Sequence, residues 1–341
     1  MDEYKIFRCP EATEESEAKM SEILKIRSRI ISGKSSARAE VEKSLTTAKE
    51  KEDLHALLEI LPDYALTRAD EIDAKIAKLR TKIFDGKELE KEIIAKVGRL
   101  VGVPYVAKDN FLTKVGHTTV ASKILENFKS PIDATAIKRL NDEGAILIGK
   151  ANLDAFAHGG STENSVFGVT KNAIDPTRVA GGSSGGSAVV VAANIVSFAL
   201  GSDTGGSIRQ PASFNGVVGM KPTYGMISRF GVVAMASSTD VIGPIAKTVE
   251  DAEILCEILA GQDGKDSTMH KNFFEIERTA PKNLKIGLIS ELMSDGLDDD
   301  VRTRTLDFVK LLKKQDHIVE EVKLPMAKHA LAIYYIVTPA E

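Results

Sequence analysis

The chain has 341 residues, of which 43% are hydrophobic and 28% are charged, and its formal net charge is −4. This length and composition are typical of an ordinary globular protein with one large domain or two. The slightly acidic balance argues against a surface that grips nucleic acid, because phosphate binding needs a basic face.

Residues 12–98 are rich in charge and follow a helical period. Ile23, Ile26 and Ile30 are spaced for one face of a helix, and Ser32 followed by Gly33 is a typical stop. Nothing in this segment has the spacing of a catalytic site, so its Lys and Glu side chains indicate solvated faces or a docking surface. We predict a helical N-terminal segment over residues 1–98 and a catalytic core over residues 99–341.

From residue 101 onward, apolar runs typical of strands alternate with helix-periodic segments. The predicted strands are residues 101–107, 145–149, 195–201, 284–289 and 318–324. The predicted helices are residues 133–141, 184–194, 248–259 and 301–314. Such alternation predicts an α/β fold with a sheet covered by helices on both faces.

Two glycine-rich motifs dominate the middle of the chain, at residues 180–188 and 201–211, and they place Ser183 and Ser207 in similar settings. A flexible linker is the ordinary interpretation of Gly/Ser-rich sequence. It fails here because the apolar segment between the motifs must be buried, which holds both motifs to a core. Glycines let backbone N–H groups approach a reacting atom, and serines supply a nucleophile and a proton relay, so the pair indicates acyl transfer. A helix that begins at Ser183 and Ser184 also favours negative charge nearby.

Ser184 offers an alternative, because residues 182–186 fit the G-x-S-x-G pattern of the α/β-hydrolase nucleophile elbow. That interpretation requires a downstream histidine, and His270, His317 and His329 are available. None of the three has the context of a base at a strand end, and the pattern alone leaves the elbow open. A Walker A loop is excluded, since no Gly-Lys-Ser/Thr follows the glycines.

Lys108 is the best-placed base if no histidine serves. It closes the strand-like run 101–107, where partial desolvation lowers the pKa of an amine and makes its neutral form available. The cysteines indicate no site: Cys9 and Cys256 are isolated, which favours a reducing compartment. Because residues 1–8 lack a signal-peptide core and no apolar run suffices for a membrane span, we expect a cytoplasmic location.

These residues together resemble the amidase signature family. The similarity rests on the strand end 108–110, the motif 181–187 and the motif 203–209, in the family's order and spacing. Flanking segments are similar to the family's branch of A subunits of tRNA-dependent amidotransferases; they are residues 122–127, 160–165, 221–225, 228–229 and 236–244. The resemblance is clear over about residues 100–266 and weaker to residue 341. Ala173 and Ala180 stand where the family commonly has proline, so the loop before Ser183 is less rigid by sequence.

The resemblance implies the amidase-signature fold and a Ser–cis-Ser–Lys triad. Ser207 is then the nucleophile, Ser183 the relay on a cis peptide, and Lys108 the base. Backbone N–H groups of Thr204, Gly205 and Gly206 are the expected oxyanion hole. No cofactor or metal is expected in this chain.

The branch implies glutamine as substrate and a glutaminase reaction that supplies ammonia. The partners it implies are the B and C subunits of an amidotransferase and a charged tRNA, glutamyl-tRNA(Gln) or aspartyl-tRNA(Asn), held mainly by a partner. ATP and Mg²⁺ are expected in the partner subunit. A free-standing amidase on another small amide and a non-catalytic fragment that only binds partners remain alternatives.

Residues that bind substrate are harder to assign. Tyr334 and Tyr335 resemble a pocket tyrosine of the family, although adjacent tyrosines are also ordinary packing residues. Arg209 is a candidate, but an ion pair with Asp203 that stabilises the loop is the favoured interpretation. In the family, the groups that hold the amino and carboxylate ends of glutamine come from a later segment. We therefore expect a sequence truncated after Glu341, with an incomplete glutamine site.

Overall fold

The computed structural model describes residues 21–270 and 283–341. These residues form two compact units, one on each side of the gap at 271–282, and each is described by itself. Cys9 and the first part of the predicted N-terminal helical segment lie outside the described residues. The two units divide near residue 271. The predicted division at residue 98 stays a prediction.

The N-terminal segment contributes four helices to the first unit: α1 (Glu22–Ser32), α2 (Ala37–Glu50), α3 (Pro62–Arg80) and α4 (Gly86–Val97). Helix α1 begins at Ser21, whose hydroxyl accepts the Leu24 N–H, and ends at Gly33 in the left-handed conformation. Its isoleucines at 23, 26 and 30 are buried, as their spacing predicted.

This segment also contains a strand, so its prediction as purely helical was incomplete. Strand β1 (Leu57–Ile60) pairs antiparallel with β3 (Ile146–Ala151) and forms one edge of the main sheet. A run of four residues is too short for periodicity to separate a strand from a helix, which explains why it was missed.

The main sheet has six strands, which are β1, β3 and also β2 (Pro104–Lys108), β4 (Phe198–Asp203), β5 (Val218–Gly219) and β6 (Val241–Ala246). Their order across the sheet is β1-β3-β2-β4-β6-β5. Strands β3, β2 and β4 run parallel, whereas β6 is antiparallel to both β4 and β5. Every residue of β2, β3, β4 and β6 is buried. Because successive side chains point to opposite faces, both faces of the sheet are covered. The predicted α/β class is confirmed.

The parallel strands place several chain segments at one edge of the sheet. At their carboxyl ends, β3 leads into residues 152–154 and β4 leads into residues 204–207, and β2 ends at Lys108. Strand β6 begins opposite the end of β4, where Val241 pairs with Asp203, so Asp240 reaches the same edge. This is the edge at which open α/β sheets bind ligands.

Four more helices complete the first unit: α5 (Thr135–Asp142), α6 (Gly185–Ala192), α7 (Arg209–Phe214) and α8 (Val249–Leu259). Helices α5, α6 and α8 lie where helices were predicted, with ends that differ by at most two residues. Strand β4 begins three residues later than predicted, because Asn194 adopts a left-handed conformation and the N–H groups of Ile195 and Val196 bond back to Val190.

The second unit contains a two-stranded parallel sheet of β7 (Lys285–Ile289) and β8 (Ile318–Val322). Helix α9 (Asp299–Lys314) connects the strands, and α10 (Ala330–Ala340) follows them. The predicted elements of this region are all present. In the part of the chain that the structure describes, no helix is both long and apolar enough to cross a membrane.

Candidate active site

The two glycine-rich motifs meet in space. The backbone N–H of Ser184 donates to the carbonyl oxygen of Ser207 at 3.1 Å, and the N–H of Gly182 donates to Gln210 Oε1 at 2.8 Å. The peptide bond between Gly182 and Ser183 is cis, as the family resemblance implied. These contacts bring together two segments that are separated by α6 and β4 along the chain.

Lys108 lies fully buried beneath Ser183. Its Nζ is 2.8 Å from Ser183 Oγ, 2.9 Å from Ser202 Oγ and 3.4 Å from the Ser202 carbonyl oxygen. A neutral amine has two N–H donors and one lone pair. A neutral Lys108 that donates both N–H groups to Ser202 would direct its lone pair to the Ser183 hydroxyl.

Burial lowers the pKa of Lys108 from its usual value to about 7. Negative charge from Asp154, Asp240 and Asp203 opposes this effect, since nearby carboxylates favour the protonated amine. A substantial neutral fraction is therefore present at neutral pH. Lys108 can accept a proton in that form.

Ser207 lies in the turn between β4 and α7 and is 7% exposed. Within residues 21–270 and 283–341, its hydroxyl forms no hydrogen bond with Ser183 or any other side chain. The Lys108–Ser183 contact is thus formed, while the link from Ser183 to Ser207 is open. Catalytic hydrogen bonds of free enzymes are often long and shorten only in the substrate complex.

Asp203 and Arg209 form an ion pair that closes the Ser207 turn. Arg209 Nη2 and Nε lie 2.9 Å and 3.1 Å from the two oxygens of a fully buried Asp203. Burial acts to raise the pKa of Asp203, but hydrogen bonds from Arg209 and from the Ile208 N–H outweigh it, and the pKa is lowered. Arg209 therefore stabilises the loop, as the favoured interpretation held, and its guanidinium is engaged before any substrate arrives.

The predicted oxyanion hole is only partly open. The N–H of Gly206 donates to Asp203 Oδ1 at 2.9 Å, so it does not point to a substrate oxygen, contrary to the prediction. The N–H groups of Thr204 and Gly205 have no acceptor among the described residues. The Thr204 hydroxyl donates to Asp240 Oδ1 at 2.6 Å, and this bond supports the turn.

Ser184 has a structural setting. It is buried, and its hydroxyl donates to the carbonyl oxygen of Ser202 at 3.2 Å. No histidine in the described ranges contacts it, which removes support for the nucleophile-elbow interpretation.

The start of α6 is satisfied by protein groups, because the N–H groups of Gly185 and Gly186 donate to Thr162 Oγ1 and to the Asn152 carbonyl. These two N–H groups therefore do not donate to a substrate.

Sequence reasoning missed two residues that contact the lysine pocket. Ser202 accepts hydrogen bonds from both Lys108 and Asn110 Nδ2, the latter at 3.0 Å. Ser202 is the penultimate residue of β4, within the second glycine-rich motif, and Asn110 follows the neighbouring parallel strand β2. A prediction that β2 pairs with β4 in parallel would have placed both residues near Lys108.

Asp240 lines a cavity of about 290 Å³ and also accepts the hydrogen bond of Thr204, so the cavity adjoins the Ser207 turn. Arg229 and Lys265 line the same cavity, and Arg229 pairs with Asp266 at 2.9 Å. Lys108, Ser183 and Ser207 do not line this cavity. In the described part of the chain, no group of three His, Cys, Asp or Glu side chains is arranged to hold a metal ion.

Tyr334 and Tyr335 lie in α10 of the second unit, with their rings edge to face at 6.0 Å. Tyr335 is exposed. Their role in a substrate pocket stays a prediction.

Comparison with known proteins gives consistent similarities. The chain matches the family model described as Amidase over residues 39–341. It is 50% identical over 295 residues to the A subunit of the glutamyl-tRNA(Gln) amidotransferase of a Geobacillus species, which covers 85% of this chain and 58% of that protein.

Two solved structures are also similar. The crystal structure of the A subunit of the glutamyl-tRNA(Gln) amidotransferase from Thermotoga maritima is 41% identical with a TM-score of 0.74, covering 89% of this chain and 62% of that one. The native peptide amidase from Stenotrophomonas maltophilia is 28% identical with a TM-score of 0.76, covering 92% and 64%. The chain thus spans less than two thirds of the length of these relatives.

Proposed function

Because the chain belongs to the amidase family, we propose that it cleaves an amide through an acyl-enzyme and acts as the glutaminase subunit of a tRNA-dependent amidotransferase. The contact that supports this most directly is the 2.8 Å hydrogen bond between Lys108 and Ser183, next to the turn that carries Ser207. A buried lysine whose pKa is about 7 supplies the base that such a reaction needs.

In the proposed mechanism, Ser207 Oγ attacks the side-chain amide carbon of glutamine. Ser183 takes the Ser207 proton and passes its own proton to the neutral amine of Lys108. The N–H groups of Thr204 and Gly205 stabilise the oxyanion, each by about 3 kcal/mol if well aimed. The leaving ammonia takes a proton back through Ser183, and water then repeats the sequence to release glutamate.

The amidotransferase role is supported by the names of similar relatives, which are A subunits of glutamyl-tRNA(Gln) amidotransferases. In this role the ammonia passes to partner B and C subunits. The partner uses ATP and Mg²⁺ and holds the charged tRNA, in line with the net charge of −4 on this chain. The tRNA is glutamyl-tRNA(Gln) or aspartyl-tRNA(Asn).

A free-standing amidase is the second candidate, because the chain is also similar to a peptide amidase. The two functions differ in their dependence on partners. Glutamine hydrolysis that rises on addition of B and C subunits with charged tRNA supports the amidotransferase role. Equal hydrolysis of glutamine and of unrelated small amides, with no effect of partners, favours the free-standing amidase.

The triad itself is tested by single and combined alanine substitutions of Lys108, Ser183 and Ser207. Each single change should lower glutamine turnover by more than about a thousandfold, and the triple variant should be little worse, because the residues act as one unit. Ser187→Ala is a matched control, since Ser187 is a buried serine of the same segment whose hydroxyl donates to the Leu200 carbonyl. Substantial activity of Lys108→Ala would refute the relay.

A further inference from the structure

Asp154 is a buried carboxylate that the proposed mechanism does not yet use. It follows β3 at the sheet edge that carries Lys108, and it is 1% exposed. Its oxygens accept the N–H groups of Ser161 at 3.2 Å and of Thr162 at 3.0 Å. No lysine or arginine forms a salt bridge with it in the described ranges. Burial raises the pKa of Asp154. Because burying a carboxylate without a paired cation costs free energy, its presence here indicates a function that offsets this cost.

Thr162 connects Asp154 to both sides of Ser183. The Thr162 hydroxyl donates to the Gly181 carbonyl at 2.8 Å and accepts the Gly185 N–H at 3.2 Å. Thr162 has a φ of 59°, which is strained for a β-branched residue and persists only where neighbours hold it. The Asp154 carboxylate supplies that hold by bonding the Thr162 N–H.

Asp154 also touches the segment of Ser183 directly. Its own N–H donates to the Ser183 carbonyl at 3.3 Å. A Cβ placed on Gly182 would lie 2.1 Å from Asp154 Oδ2, so the carboxylate packs against the glycine backbone. Asp154 and its hydrogen-bond partner Thr162 therefore hold the backbone on either side of Ser183.

The other charged groups around Lys108 are largely engaged elsewhere. Asp203 is paired with Arg209, and Asp109 is paired with Lys150 at 2.9 Å. Asp240 is held by neutral donors, which are the Thr204 hydroxyl and the N–H groups of Met235 and Ala236. Asp154 and Asp240 thus bring negative charge to this edge without a cation of their own. Only Asp154 also bonds the Ser183 segment.

We propose that Asp154 is a positioning residue for the Ser183–Lys108 relay: through Thr162 it holds the backbone on both sides of Ser183, and its charge balances Lys108 when that lysine takes the proton. This inference deepens the proposed function and rests on it. Asp154 is negatively charged before the transfer, so the protonated Lys108 has a compensating charge nearby. Proton transfer to Lys108 then creates no uncompensated buried charge.

The experiment follows two quantities in the wild type and in Asp154→Asn. The first is the titration of Lys108, read from the ¹³Cε chemical shift of labelled lysine and assigned with Lys108→Arg. The second is the rate at which a fluorophosphonate labels Ser207: Ser207 Oγ bonds phosphorus, fluoride leaves, and the hydroxyl proton passes through Ser183 to Lys108. We expect the Lys108 midpoint of Asp154→Asn to fall below that of the wild type, and labelling to slow by about ten- to a hundredfold.

Variants of Thr162 distinguish the positioning of Ser183 by Asp154 from the effect of the Asp154 charge on Lys108. Thr162→Val removes both hydroxyl hydrogen bonds but keeps the Asp154 charge, so labelling should slow while the Lys108 midpoint stays unchanged. Thr162→Ser keeps the hydroxyl and should restore the rate. Circular dichroism and thermal melts establish that each variant is folded, and Thr162→Val carries the test if Asp154→Asn does not fold.

An unchanged Lys108 midpoint in folded Asp154→Asn would overturn the role of the charge. Labelling at the wild-type rate in Thr162→Val would overturn the positioning role. Failure of the wild type to react with the fluorophosphonate would instead count against the proposed function, whereas the Lys108 titration would still test the effect of Asp154.

Discussion

At the residue scale, the proposed chemistry depends on one buried amine. Lys108 is surrounded by the hydroxyls of Ser183 and Ser202 and is shielded from solvent. Burial lowers its pKa to about 7, because a charged amine loses its hydration there. A base with such a pKa is matched to reactions at neutral pH.

Lys108→Arg should be nearly as inactive as Lys108→Ala. Arginine keeps the positive charge and the hydrogen-bond donors, but with a pKa above about 12 it offers no neutral base. Under the proposed function, glutamine turnover should fall by more than about a thousandfold. In the wild type, kcat/KM should rise with pH through about 7, as the amine loses its proton. An arginine variant with near wild-type turnover would mean that Lys108 acts as a fixed cation.

The same residue makes the stability of the fold depend on pH. The folded-state pKa of Lys108 is about 7, below the usual 10.5, so the unfolded chain binds more protons between these values. The free energy of unfolding should therefore rise with pH in this window, by up to about 1.4 kcal/mol per pH unit from this group. Lys108→Met should remove that slope. Urea denaturation at several pH values between about 7 and 8.5 measures it, and equal slopes in both proteins would contradict the assignment.

At the element scale, the sheet decides which residues meet. Three parallel strands, β3, β2 and β4, end at one edge and deliver Asp154, Lys108 and the Ser207 turn to the same place. Strand β1 closes the far side of this group by pairing with β3. The N-terminal segment therefore belongs to the sheet that carries the site.

Gly149 lies where β3 closely approaches β1. A Cβ added at Gly149 would lie 2.6 Å from the carbonyl oxygen of Glu59, which is backbone and moves only with the strand. We expect Gly149→Ala to lower the free energy of unfolding by about 1–3 kcal/mol.

Gly86→Ala is the matched control for Gly149→Ala, because an added Cβ there meets nothing within 4 Å and alanine favours the start of α4. Thermal and urea unfolding of the two variants make the comparison. If both variants unfold like the wild type, β1 does not pack on β3 as described.

At the scale of the whole molecule, the first unit buries a continuous core from α1 to α8, and Cys256 of α8 is buried. Burial raises the pKa of the Cys256 thiol to about 12, and nearby glutamates add to the effect. The thiolate is therefore scarce at neutral pH. Cys256 should be inert while the unit is folded.

A thiol-reactive dye should report the unfolding of the first unit. In a Cys9→Ser variant, Cys256 is the only thiol left in the sequence. At mildly alkaline pH we expect labelling at the rate of unfolding, and full labelling within the mixing time in denaturant. Rapid labelling of the native protein would show that the core around α8 opens locally.

The order of the motifs along the chain was enough to predict the family, the α/β class and the three residues Lys108, Ser183 and Ser207. Glycine spacing, a buried apolar segment and a lysine at a strand end are local features, and local features can be read without coordinates.

Only the tertiary structure decided which donors are free, because the Gly206 N–H is taken by Asp203 and the start of α6 by Thr162 and Asn152. It also introduced Ser202 and Asp154, which reach Lys108 and Ser183 from β4 and β3. Strand order brings such residues together, and a hydrogen bond across the end of a sheet leaves no periodic trace in the sequence.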